Sequence, residues 1–475
     1  MAITDILNDV FSPINTYMWY IAFVFLIGLG IVFTIKLRGL QILKVRETAK
    51  LAVSGITEGK SEKHMLSSFE TFCIGMGARI GVGNIAGVAT AIATGGPGAV
   101  FWMWIFAIIG SASSFMESTV AQIYKEKKSD GSYHGGPAYY ATKGIGNKKI
   151  GILLAVLIVI TFGIGFVGVQ ATNASSALCG AFNFDNNALV FGIIIAAISA
   201  LVIFGGVKRI AKVSARVVPI MAFGWIGFAL VAILLNIGGV GNAIGMIFKY
   251  AFSAPSLIGG AIGTVIMTGL KRGIFSNEAG LGSVANVAAT ANTSHPCKQG
   301  MIQSFGVLMD TLIVCTVTAL VVLSYGNFDE ILALHLTGSQ LVQAVVSSTA
   351  IGGAANYIIA IFMFVFAFTS LIGYYTMSES NVRFIKDDKK VLFLVRVLII
   401  VVAFLSCLIS TGLMDLICDT FMAFMGAVNI IVVALLSKKA MEAYKDYRSQ
   451  KKAGIEEPVF HKDALSDATG VTEWD

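Results

Sequence analysis

Residues 67–96 read SSFETFCIGMGARIGVGNIAGVATAIATGG. The stretch is long and apolar enough to cross a bilayer, which takes about 20 mostly apolar helical residues. Yet Gly75, Gly77, Gly81, Gly83 and Gly87 crowd its middle, together with Arg79 and Asn84. Each interior glycine weakens a helix by roughly 1 kcal/mol, and an arginine at mid-depth costs roughly 2.5–3.5 kcal/mol on insertion scales. A passive anchor carries neither. Backbone that leaves the helix at membrane depth is tolerated only where it is buried or lines a cavity, so the stretch reads as a broken helix around a site. Small-residue packing accounts for single glycines but not for the Arg and Asn embedded in GARIGVGN.

The rest of the chain supports a bilayer as its solvent. Of 475 residues, 56% are hydrophobic and 13% charged, against roughly 25% charged in soluble domains. Eleven candidate spans follow, at about 14–35, 68–92, 98–124, 150–176, 188–207, 217–236, 256–276, 301–325, 352–376, 390–411 and 416–437. With the N-terminus outside, the inward segments after spans 1, 3, 5, 7 and 9 and the tail hold 7, 6, 4, 3, 5 and 7 Lys/Arg, which is 32 of 34. Cytoplasmic loops carry such an excess. The net charge of +7 therefore reflects topology and not a nucleic-acid surface. The chain divides into 1–66 (a first span and an amphipathic inner-surface helix over 36–53), a core over 67–438, and a cytoplasmic tail over 439–475 that reads as polar and disordered from about Ser449.

Span 7 carries the same signature as span 2. PSLIGGAIGTVIMTGLKRGIFSNEAG, residues 255–280, has Gly259, Gly260, Gly263 and Gly269, with Thr264 and Thr268, and runs into Lys271, Arg272 and Glu278. Two Gly-interrupted spans at matching places in two halves point to a transporter site. The halves are spans 2–6 (about 67–236) and 7–11 (about 255–438), inverted relative to each other, with span 1 extra. A broken helix offers half-helix N–H groups to a carboxylate and freed carbonyls to a hard cation.

Four buried charges are coupling or gating candidates. Arg79 and Asp310 lie roughly 18 and 14 Å from their cytoplasmic ends at 1.5 Å per residue, so Asp310 either neutralises Arg79 or contributes to a cation path. Glu117 and Glu278 lie toward the inner ends of spans 3 and 7, as interfacial charges near water or as a gate with Lys271 or Arg272.

Rival classes fare poorly. Asp415 and Asp419 give D-x-x-x-D, a spacing some diphosphate-binding membrane enzymes use, but no second acidic motif accompanies it, and charge at a helix N-terminus accounts for it. GVGNIAG lacks the strand that a dinucleotide fingerprint needs, and no phosphate-binding loop is present. A channel favours a filter repeated by subunit symmetry. Cys73, Cys179, Cys297, Cys315, Cys407 and Cys418 form no CxxC pair, and the five histidines show no metal spacing. No cofactor, nucleic acid or obligate protein partner is expected.

GVGNIAGVATAIATGGPGAVFWMW (81–104), SYHGGPAYY (132–140), RGIFSNEAGLGSVANVAATANTSHPCKQG (272–300) and, more weakly, FTSLIGYY (368–375) resemble the alanine/glycine:cation symporter family. The resemblance covers spans 2 to 11. It implies an all-α LeuT-type fold with five-plus-five inverted repeats, and import of alanine or glycine across the plasma membrane with sodium. Glutamine, serine or proton coupling remain alternatives. It also implies that Gly81, Val82, Gly83 and Asn84 form the unwound segment facing the substrate carboxylate. The carbonyls of Gly77 and Ile80 would hold sodium with Thr369 and Ser370. Thr268 and Gly269 would sit at the second break, with Gln170 reaching the amino acid. The family usually shows Trp where Tyr374 stands, and Thr376, Met377, Ser378 and Glu379 depart from its continuation, so Tyr374 enters as a determinant of pocket size.

Overall fold

The computed structural model describes residues 3–54, 65–128, 131–183, 188–252 and 261–475. Among these the protein is helical apart from one two-residue hairpin, Glu126–Lys127 against Tyr133–His134. Among the described residues, seven helices are long and apolar enough to cross a membrane: Asp5–Lys36, Gly98–Ile123, Lys148–Phe182, Gly206–Leu235, Pro296–Leu323, Ala354–Ile385 and Thr411–Lys452. Ala188–Ile203 and Lys389–Ser406 are shorter or more charged. Large apolar side chains such as Tyr17, Val24, Phe223, Leu234 and Leu394 stand exposed along these helices. In water such a belt would associate, whereas lipid accepts it.

Both Gly-rich spans are broken. The first runs Ser68–Arg79, turns through Ile80–Ile85 with one 3-10 turn at Val82–Asn84, and resumes over Ala86–Gly95. Ser67 and Glu70 form a reciprocal cap at its start, satisfying two orphan N–H groups. The second runs Ala261–Asn277, breaks over Glu278–Gly282, and resumes over Ser283–Ala288. The second break turns on left-handed backbone at Glu278 (φ 56°), Gly280 (81°) and Gly282 (73°), a region open to glycine and costly for a glutamate.

The second break thus lies about ten residues beyond Thr268 and Gly269, which correction follows from packing. Both residues sit inside continuous helix. A Cβ on Gly269 would come 2.6 Å from Trp102 Cβ and 2.7 Å from the Ala99 carbonyl, so this glycine serves helix–helix approach. Gly259 and Gly260 lie outside the described residues.

The near side of the molecule carries the helix Val45–Ser54, the hairpin and residues 453–475. Leu40, Thr48 and Ala52 of the 36–53 segment are buried, while Ile42, Leu43 and Val53 face outward. The tail is not disordered. Thr411–Lys452 is 42 residues long, about 63 Å at 1.5 Å per residue. It overshoots a hydrocarbon core of about 30 Å and delivers a folded tail whose Phe460, Leu465, Val471 and Trp474 are buried. Polarity alone does not predict disorder where a few apolar anchors find a surface.

Candidate functional site

The first break is held by side chains from three other helices. Gly81 N–H donates to Asn84 Oδ1 at 2.9 Å. Val82 N–H donates to Gln170 Oε1 at 2.9 Å, and Gln170 Nε2 donates to the Tyr374 hydroxyl at 3.3 Å. A Cβ on Gly81 would meet Ser370 Oγ at 2.6 Å and Gln170 Nε2 at 2.7 Å, and one on Gly83 would meet the Phe275 ring at 2.9 Å. The break leaves no room for side chains where it faces its partners, and its N–H groups are answered by neutral polar atoms that an incoming carboxylate can replace.

Ser370 Oγ donates to the Gly77 and Ala78 carbonyls at 3.0 and 3.1 Å, and the Tyr374 hydroxyl donates to Ala78 O at 2.9 Å. Thr369 Oγ1 lies one residue earlier, bonded to Phe366 O at 3.0 Å, with its Cβ 3.6 Å from a Cβ built on Gly77. Gly77, Thr369 and Ser370 therefore converge. Ile80 caps the half-helix, its N–H donating to Met76 O at 2.7 Å. Neutral hydroxyls and carbonyls of this kind suit a hard monovalent cation.

A π-bulge at Thr161–Phe166 presents Phe162 and Phe166 to the same place. Phe166 stacks on Phe275 with centroids 4.8 Å apart, and both Phe162 and Phe166 pack on Tyr374, at 5.6 and 5.3 Å. These aromatics escape a sequence reading. Phe275 and Ser276 sit in the quoted RGIFSNEAG stretch, and only the true position of the second break brings them to the first.

The charged candidates are distributed differently from expectation. Arg79 is fully buried but does not pair with Asp310. Its Nε donates to Asn277 O at 2.9 Å, Nη1 to Gln303 O and Oε1 at 3.0 and 3.2 Å, and Nη2 to Ser114 Oγ at 3.0 Å. It thus caps the C-terminal end of Ala261–Asn277, where carbonyls are orphaned and a cation is favoured. Asp310, on a second π-bulge at Met309–Cys315, accepts from Asn84 Nδ2 at 2.6 Å, Ser276 Oγ at 2.7 Å and Thr311 Oγ1 at 3.1 Å.

Glu117 is buried, not interfacial. It accepts from Gly282 N–H at 2.9 Å, Gly280 N–H at 3.4 Å and Asn429 Nδ2 at 3.0 Å, answering N–H groups at the second break. Glu278 is fully buried too, with Ser283 Oγ donating at 2.6 Å. Neither bonds to Lys271 or Arg272, because Ala261–Asn277 ends at the break and carries both cations away from it. Arg272 pairs with Asp415 at 3.3 Å and with Asp419, and Lys271 donates to Asn15 Oδ1 at 2.9 Å. The two aspartates answer this arginine and not a helix terminus, since Thr411 begins their helix.

The pattern described as the Sodium:alanine symporter family matches residues 4–462. Among similar proteins, the "Probable sodium/glutamine symporter GlnT" of Bacillus subtilis (strain 168) is 45% identical over 99% of this chain and 96% of its own. The "Amino-acid carrier protein AlsT" of the same organism is 41% identical over 98% of both. The "Sodium/alanine symporter AgcS" of Methanococcus maripaludis is 36% identical over 93% of this chain and 97% of its own. In shape the protein resembles the crystal structure of MhsT in complex with L-phenylalanine, with a TM-score of 0.62 at 14% identity, over 81% of this chain and 93% of that one. That likeness carries the LeuT-like fold. A family of transporters, not of enzymes, accounts for residues 4–462. This multi-pass membrane protein is a sodium-coupled amino-acid symporter and belongs to the sodium:alanine symporter family.

Proposed function

We propose that the protein imports small neutral amino acids, alanine or glycine, across the plasma membrane with sodium. It would do so through eleven spans, arranged as a five-plus-five inverted repeat with one extra N-terminal span. In this reading the N-terminus is outside and the near side, with the tail, is cytoplasmic. Moving Lys271 and Arg272 to the outer side takes two cations from the 32 assigned inside, and the inward excess remains.

The observation that carries the reading is the meeting of Ser370 with the Gly77 and Ala78 carbonyls directly below a break whose Val82 N–H is met by Gln170. Sodium would take the hydroxyl and carbonyl oxygens of Gly77, Thr369 and Ser370, with Ile80 closing the turn. The substrate carboxylate would take the N–H groups of Gly81 to Asn84 from Gln170 and Asn84. Asp310, freed from Arg79 and bonded to Asn84, belongs to the cation path. Arg79, Glu117 and Glu278 hold the second break in shape.

Glutamine is a second reading. Gln170 and Tyr374 place an amide and a hydroxyl together beside the break, a pairing suited to a side-chain amide, and one similar protein is named for glutamine.

The test is uptake of labelled alanine and glutamine into proteoliposomes, with an inward sodium gradient against a potassium control at fixed pH. Concentrative alanine uptake only with sodium, lost on Ser370→Ala, supports the first reading. Concentration of glutamine alone selects the second.

A further inference from the structure

The near-side ends of the two broken helices are tied together, and the tail is tied to the knot. Leu66, just before the first broken helix, bridges Ala291, just after the second, and Asn292 N–H donates to Leu66 O at 2.9 Å. Gln122 Nε2 donates to Ala288 O and, at 3.1 Å, to Ala291 O. Lys125 Nζ donates to Ala291 O at 3.3 Å.

Trp474 closes the arrangement. Its indole N–H donates to Gln122 O at 2.8 Å, its ring lies 4.4 Å from Lys125 Nζ, and the same ammonium lies 4.1 Å from the Tyr133 ring. Trp474 is 6% and Lys125 2% exposed. Upstream, Phe460 N–H donates to Ser294 O at 2.9 Å, and its ring packs edge-on against Trp474 at 5.4 Å. Next to this knot, a cavity of about 270 Å³ is lined by Leu66, Tyr133, Thr290, Thr376 and Glu379. Leu66 and Thr290, one from each of the tied ends, both line this cavity.

We propose that residues 455–475 form a strap that holds the near-side ends of the broken helices together and restrains opening toward the cytoplasm; this rests on the transport reading above. The strap is seated by the buried Phe460, Leu465, Val471 and Trp474, and its ion pairs to the body, Lys298–Glu457 and Lys439–Asp467, lie at the rim with carboxylates 70% and 61% exposed. Such pairs are weak and screened by salt. Indole burial and two cation–π contacts on one ammonium supply the rest. Burial pushes the Lys125 ammonium down to about 7, against the pull of the Glu473 carboxylate on the strap itself.

The test reads the gate without requiring turnover. Thr290→Cys is placed in a chain whose six native cysteines are replaced. The rate of its modification by a membrane-impermeant thiol reagent on the near side is then compared with Trp474→Ala, Trp474→Phe and a chain ending at Gly454. The expected result is an increase of about tenfold for Trp474→Ala and for the shortened chain, as the open population grows, with Trp474→Phe between. Sodium-dependent amino-acid binding by detergent-solubilised protein is retained. Unchanged modification rates in folded variants overturn the proposal. A chain that no longer assembles once Trp474 is removed overturns it as well, because the segment is then part of the fold and not a strap. If wild-type protein transports no amino acid tested, the transport reading fails, while the accessibility comparison still decides whether the tail restrains the near side.

Discussion

Asn84 Nδ2 donates to Asp310 Oδ1 at 2.6 Å across 226 positions of sequence, while Asn84 Oδ1 accepts the Gly81 N–H at 2.9 Å. One amide thus links the unwound backbone of the first broken helix to the buried carboxylate of a neighbouring span, with Ser276 of the second broken helix completing the triad. Asn84 is the side chain that bonds both the break and Asp310.

Asp310→Asn keeps the shape but puts an amide N–H where Asn84 or Ser276 also donates. Hydrogen bonds to charged groups contribute about 1.5–3 kcal/mol, so sodium-driven uptake should fall about tenfold or more while membrane abundance holds. Wild-type initial rates in this variant would remove Asp310 from the cation path.

Ser370→Ala deletes the hydroxyl that meets two carbonyls of the first half-helix. The sodium concentration for half-maximal uptake should rise about tenfold, the effect of about 1.4 kcal/mol. Alanine affinity at saturating sodium should change much less. A sodium titration at fixed substrate separates the two, and an equal loss in both would assign Ser370 to the substrate instead.

Gly269→Ala forces a methyl against Trp102 and the Ala99 carbonyl. Overpacking of this kind costs about 1–3 kcal/mol, so the variant should melt at a lower temperature in detergent yet bind substrate normally once folded. Reduced substrate affinity at full stability would return Gly269 to the binding site.

Arg79 caps a helix end through its bond to Asn277 O, gives its other three hydrogen bonds to Gln303 and Ser114, and forms no ion pair with Asp310. Exchanging the charges, Arg79→Asp with Asp310→Arg, should therefore rescue nothing relative to either single change. Recovery of insertion or uptake by the double variant would falsify the capping assignment.

The His295 imidazole lies just outside the helix Pro296–Leu323, between the rings of Tyr447 and Phe460, with Asp446 at 3.2 Å and Lys298 on its own helix. Burial pushes it down to about 4 against the pull of Asp446, from roughly 6.5 in the unfolded chain. A depressed histidine means that the unfolded or undocked state binds more protons between those values. Stability is thus complete above about 6.5 and declines as pH falls toward 4. Thermal melts across this window should drop in wild type and flatten in His295→Gln, and parallel curves would exclude this histidine.

The membrane character, the broken first helix and the convergence of Gly77, Thr369 and Ser370 were legible because hydropathy, glycine clustering and a specific family resemblance all act locally along the chain. The second break was misplaced because glycine has two uses. At Gly269 it permits close packing, whereas at Gly280 and Gly282 it supplies left-handed backbone. Nothing in the residue type separates these uses before neighbours are placed.

Charge was the least legible property. Depth along a span suggested that Arg79 could meet Asp310, but depth fixes one coordinate and helix rotation fixes the other. The arginine found orphaned carbonyls, and the aspartate found Asn84. Sequence by itself determined that this chain dissolves in lipid and that one span is broken, since apolar runs and glycine clusters carry their physical consequences locally. Tertiary structure alone decided where the second helix breaks, which buried charges answer one another, and that a polar tail folds back on Trp474. Each of these depends on a partner hundreds of residues away presenting the right atom at hydrogen-bond distance.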